Sequence, residues 1–96
     1  MALTLTIFTH PACPRCGIAV KAAWELKEMQ PERFRLETIP LTEKAGLDQA
    51  FRENIKTIPT LLISDGDKEL HRIVGAPGPG QLESAFDTVS EESHTP

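Results

Sequence analysis

The sequence lacks the features that mark several large classes of protein. No stretch approaches the ~20 consecutive apolar residues that a helix needs to cross a bilayer, so no membrane partner is expected. Basic residues are outnumbered, ten Lys and Arg against fourteen Asp and Glu, for a formal net charge of -4. A chain of that sign repels a phosphate backbone and has no broad basic stripe, which argues against nucleic acid as a partner. Histidine is sparse: His10, His71 and His94 lie at no finger-like spacing, and with two cysteines they make a poor tetrahedral zinc set. No metal and no organic cofactor is expected. The opening residues, Met1 to Phe8, lack the basic flank, apolar core and small-residue cleavage pattern of a secretory leader, which points to the cytoplasm. The two cysteines, Cys13 and Cys16, are too few and too close to staple a secreted mini-protein, so their role is local chemistry.

What is present describes one ordinary domain. Ninety-six residues, 40% apolar and 25% charged, are enough for a single core, here expected over residues 1–90 with a polar tail at 91–96, in a monomer. Leu3, Leu5 and Ile7 alternate with Thr4, Thr6 and Phe8, the period of a strand partly covered on both faces. His10-Pro11-Ala12-Cys13-Pro14 breaks the pattern, and Pro14 suits the first turn of a helix, which is expected to begin close to Cys13. Cys16, Ala19, Val20, Ala23, Leu26 and Met29 recur at helical spacing, with Trp24 read as a packing residue, until Pro31 ends the helix.

Phe34 to Ile39 alternates as a second strand closed by Pro40. Thr42 is the expected N-cap of a short helix over residues 43–54 whose apolar face would be Leu47, Ala50 and Phe51, with Gly46 weakening its first half. Thr60 to Ser64 reads as a buried strand, Asp65-Gly66 as a turn, and Glu69 to Val74 as its antiparallel hairpin partner. After Gly75 to Gly80, a turn-rich connector, Leu82, Ala85, Phe86 and Val89 form the buried stripe of a last helix. The order is β-α-β-α-β-β-α, an α/β class with a mixed four-stranded sheet flanked by three helices. Strands joined through a helix are expected to run parallel with right-handed crossovers.

A bare C-x-x-C also serves metal carriers and iron-sulfur sites, so its setting matters. Here it lies between a strand and a helix, which puts Cys13 where unpaired N–H groups and the helix dipole favour a thiolate. Cys13 is thus the expected exposed nucleophile. Cys16, one helical turn on, can attack a mixed disulfide formed on Cys13. Pro14 shapes the turn, and Arg15 adds a positive charge beside both sulfurs, which favours the thiolate and tunes the redox balance. His10 on the same loop is more often a bystander. The competing readings are a buried structural pair and, of another class, a copper(I) or iron-sulfur handling module using the same two thiols.

Three segments together go beyond the cysteine spacing: Phe8-Thr9-His10-Pro11-Ala12-Cys13-Pro14-Arg15-Cys16, Thr57-Ile58-Pro59-Thr60 and Val74-Gly75-Ala76. With them the chain resembles the thioredoxin superfamily from Leu3 to about Val89. The resemblance implies a thioredoxin-like fold and a thiol-disulfide oxidoreductase that reduces client disulfides and ends with a Cys13–Cys16 redox disulfide. It implies that Pro59 is cis, against the base rate for X-Pro bonds, and that Thr57, Ile58, Pro59 and Gly75 form the substrate groove. Its implied partners are a disulfide-bearing protein client and, as reductant, a thioredoxin-reductase-like flavoprotein or glutathione. Phe8-Thr9 and Cys13-Pro14-x-Cys16 look like a glutaredoxin, the glutathione-dependent alternative, whereas Pro59-Thr60 and Val74-Gly75-Ala76 look like a small thioredoxin. Ala12 stands where a thioredoxin carries Trp, and Arg15 where a glutaredoxin usually carries Tyr.

Overall fold

The computed structural model describes residues 3–66 and 68–93, with side chains as far as Val89. Along it run β1 (Leu3–Thr9), α1 (Cys16–Met29), β2 (Phe34–Pro40), α2 (Lys44–Arg52), β3 (Thr60–Asp65), β4 (Lys68–Val74) and α3 (Gln81–Ser93). Met1, Ala2 and residues 94–96, including His94 and half of the expected polar tail, lie outside the described residues. Helix α3 itself continues to Ser93, past residue 90.

The sheet order is β2-β1-β3-β4, with β1 parallel to β2 and antiparallel to β3, and β3 antiparallel to β4. The parallel expectation therefore holds across α1 and fails across α2. The register explains the failure. Thr9 pairs with Pro40 and Phe8 with Thr60, so the chain leaves β2 and enters β3 at the same end of the sheet. Nine residues of α2 span about 13 Å, and the segment after it returns to its starting level, so β3 runs back down.

Alternation in β1 divides two cores. Leu3, Leu5 and Ile7 join Leu61, Ile63, Ile73 and Phe34 beneath α1 and α3, which contribute Ala19, Ala23, Leu26, Leu82, Ala85, Phe86 and Val89. Phe34 and Phe86 stack with centroids 4.4 Å apart, and Arg33 lies over Phe86 while pairing with Asp87 at 2.7 Å. The opposite face is thinner: Phe8, Leu62 and Ala50 with partly buried Ile39, Leu41, Ile55 and Ile58.

Helix α2 keeps Ala50 of the expected apolar face inside and overturns the expectation at Leu47 and Phe51. Leu47 is half exposed and Phe51 is 88% exposed, whereas Gly46 and Ala50 are buried. Small residues at i and i+4 face the sheet because the backbones approach closely. A β-carbon at Gly46 would collide with the Pro40 carbonyl oxygen and lie 3.2 Å from the Ile39 side chain. The N-cap is Glu43, with no side-chain cap, and not Thr42, because the start of α2 is set by this passage and not by a hydroxyl. At the other end Arg72 donates to the Glu53 carbonyl at 2.8 Å and pairs with Glu69 at 2.7 Å, tying β4 to the carbonyl end of α2. Gly46→Ala, which in an open helix would stabilise, is expected here to cost about 1–3 kcal/mol in urea unfolding. A gain in stability would show that α2 can move off Pro40.

Candidate active site

Four segments converge at the end of the sheet where β1 stops. They are the loop after β1, the Pro40 end of β2, the approach to β3 at Thr57–Pro59, and Gly75 just after β4. In the loop, the Cys13 N–H donates to the His10 carbonyl at 3.0 Å, and the His10 ring accepts at Nδ1 from the Ala12 N–H at 3.0 Å. His10 thereby holds the turn that presents Cys13 from both its backbone and its ring.

Helix α1 begins at Cys16, three residues later than the expected start at Cys13. Proline explains the delay: it disfavours helical geometry in the residue before it, so Cys13 stays in the turn, and Arg15 becomes the N-cap. The sulfur nevertheless reaches the helix terminus. Cys13 and Cys16 are joined by a disulfide with Cα atoms 5.4 Å apart, which places the Cys13 sulfur against the first helical residue. The two cysteines differ in access, for Cys13 is half-buried and Cys16 is 4% exposed within the core edge. A thiolate released at Cys13 would face solvent beside unpaired helical N–H groups, while Cys16 would stay behind it. Pro14 and Arg15 are both exposed on the rim.

The Ile58–Pro59 peptide bond is cis, and Pro59 is fully buried. The Thr60 hydroxyl donates to the Thr57 carbonyl, and the Gly75 N–H donates to the Pro59 carbonyl at 2.8 Å, so Thr57, Ile58, Pro59 and Gly75 form one connected rim. Gly75 has φ +90°, a left-handed conformation that suits glycine. Among the described residues, no group of three or more His, Cys, Asp or Glu side chains gathers in a metal-binding arrangement.

Trp24 departs from the expected packing role. Trp24 is 51% exposed and, with Gly17 and Val20, lines a groove that also contains Cys13 and Cys16. The signal was available in the i, i+3, i+7 spacing of Gly17, Val20 and Trp24, a second face of α1 beside the core stripe.

Comparison with known proteins agrees with this geometry. A probable thioredoxin of Archaeoglobus fulgidus is 31% identical over 78 residues, covering 81% of this chain and 79% of the relative. A probable thioredoxin of Methanothermobacter marburgensis is 27% identical over 92 residues, covering 96% of this chain and 98% of the relative. No family model matches the sequence. Among solved structures, thioredoxin-2 of a malaria parasite superposes with a TM-score of 0.81 at 17% identity, covering 91% of this chain and 82% of that one. Thioredoxin O2 of Arabidopsis thaliana in its oxidised state gives 0.77 at 21% identity, over 90% and 73% of the two chains. Fold and relatives together define a thiol-disulfide oxidoreductase. The chain belongs to the thioredoxin superfamily.

Proposed function

We propose that this protein reduces disulfides in client proteins, with Cys13 as nucleophile and Cys16 as resolving thiol. The carrying observation is the unequal access of the two bonded sulfurs at the start of α1. In the reduced state the Cys13 thiolate attacks one client sulfur; a new S–S bond forms as the client disulfide breaks, and the departing client thiolate takes a proton from solvent. Cys16, one turn away, then gives up its proton and attacks the Cys13 sulfur, which expels the second client thiolate and leaves the Cys13–Cys16 disulfide. Two electrons have passed to the client, and an external reductant must return them.

Pro14 sets the turn and Arg15 supplies a cation on the rim, both acting on the ease of thiolate formation. In the rim of Thr57, Ile58, Pro59 and Gly75, internal bonds hold the Thr57 and Pro59 carbonyls and the Gly75 N–H, and the Ile58 backbone between them is the edge against which a client strand would pair. The setting we assign is the cytoplasm, with the chain acting as a monomer over residues 1–90; no helix among the described residues is long and apolar enough to cross a membrane. The reductant we favour is a thioredoxin-reductase-like flavoprotein, because the relatives are thioredoxins and Arg15 occupies the place where a glutaredoxin usually has Tyr.

Insulin-disulfide reduction by the purified protein tests this reading, driven in one arm by NADPH with thioredoxin reductase and in the other by glutathione with glutathione reductase. Turnover is expected in the first arm. Turnover confined to the second would reassign the protein to glutathione, and silence in both would overturn the reducing role.

A further inference from the structure

A groove of about 540 Å³ runs from the disulfide along the side of α1 towards β2. Cys13 and Cys16 close one end, Val20 and Trp24 form the wall from α1, and Leu36 and Thr38 form the wall from β2. Thr57, Ile58, Pro59 and Gly75 take no part in it, and the strand order places it on the opposite side of β1 from them. The molecule thus has two surfaces meeting at one sulfur pair.

Two independent features indicate that this second groove is kept open for an occupant. Trp24, a large apolar side chain, is left half exposed on the wall of the groove that the disulfide closes, although core positions lie on the same helix. Gly17 sits in the first turn of α1, where glycine is the poorest helix former after proline. Its backbone is not left-handed, and a β-carbon there would meet nothing within 4 Å, so neither conformation nor crowding requires glycine in the free protein. What its missing side chain does is leave clear the floor between the cysteines and Trp24. In addition, β2 pairs with β1 alone and so has one unpaired edge, to which an extended chain can add.

We infer that this groove receives the client polypeptide as an extended segment, with a large apolar or aromatic client side chain seated against Trp24. The inference rests on the reading of Cys13 as the sulfur that exchanges with the client. Eight residues of helix separate Cys16 from Trp24, about 12 Å. An extended chain covers that distance in about three to four residues, so the anchor lies that far from the client's reactive cysteine. The preferred substrate is a protein or peptide disulfide flanked by such a residue, and a small disulfide fills only the cysteine end.

Trp24 is the one tryptophan in the chain, so its fluorescence reports on the groove directly. Two ten-residue peptides are titrated into the oxidised protein, each with serine in place of cysteine and differing only in Phe or Gly four residues away. The Phe peptide should give a saturable blue shift and reduced acrylamide quenching; the Gly peptide should give neither. In turnover, the corresponding disulfide-linked peptides should differ by about tenfold in kcat/KM in favour of Phe. That ratio should fall towards one in Trp24→Ala and in Gly17→Leu, whose side chain enters open space and leaves the fold intact by circular dichroism. Gly17→Ala should raise Tm by about 4–8 °C, as expected if glycine is not there for the free fold. Absence of any spectral response, with equal kcat/KM for both peptides and normal insulin reduction, overturns the groove assignment and leaves disulfide exchange standing. A Trp24 response to glutathione disulfide that matches the Phe peptide's also overturns it. Failure of insulin reduction removes the exchange reading, while the fluorescence titration still decides whether the groove binds peptide.

Discussion

Cys13→Ser is expected to reduce insulin-disulfide turnover to the buffer background, whereas Cys16→Ser is expected to accumulate a covalent complex with the client. Both variants lose one thiol from the same disulfide, so a merely structural bond would make them equivalent. The site makes them unequal. Cys13 lies in the turn before α1 with its sulfur at the helix terminus and partly open to solvent, and an oxygen there is far too poor a nucleophile at neutral pH to replace a thiolate. Cys16 is nearly closed off, so its loss leaves the first attack intact and removes only the step that frees the client. Non-reducing electrophoresis with mass spectrometry would show one client per protein, released by dithiothreitol. Equal residual turnover in both variants, or a trapped complex on Cys16 in the Cys13 variant, would refute the division of roles.

Phe86→Ala is expected to cost about 3–5 kcal/mol in equilibrium unfolding, the range for emptying a buried aromatic site. That is a large share of the ~5–15 kcal/mol that holds a domain of this kind together. Phe86 is fully buried on α3, stacks on Phe34 of β2, and lies under the Arg33 guanidinium, which itself bonds to Gln30 and Asp87. One side chain therefore joins α3, β2 and the turn after α1. Phe86→Leu, which retains most of the volume, is expected to lose no more than about 1.5 kcal/mol, and its urea midpoint gives a measurable reference if the alanine variant does not fold. A loss below 1 kcal/mol in the alanine variant would mean that α3 is held by contacts other than this stack.

The legible parts of the molecule were those governed by neighbours in the chain. Strand alternation in Leu3–Phe8, the helical stripe of Cys16, Ala19, Val20, Ala23 and Leu26, and the hairpin around Asp65-Gly66 all follow from side-chain period and turn chemistry, although Met29, expected to end that stripe, is exposed. Helix α2 was the weak point. Leu47, Ala50 and Phe51 look like its buried face, yet of these only Ala50 is inside, together with Gly46. Residue size predicts burial where there is room to fill, and here the distance between α2 and Pro40 leaves none. Trp24 differs from its expected packing role because its face of α1 borders an open groove shared with Leu36 and Thr38 of β2.

The sequence by itself determined the order of the seven elements, the extent of the main core and the position of a C-x-x-C pair between the first strand and the first helix. These depend on periodicity and on the local habits of proline and glycine, which act within a few residues. Only the tertiary structure decided the direction of β3, the small-residue face of α2, the delayed start of α1 at Cys16, and the groove that α1 and β2 form beside the disulfide. Three of these arise from distances between segments remote in the chain; the delayed helix start, although local, required the competition between Pro14 and the residue before it to be resolved in space.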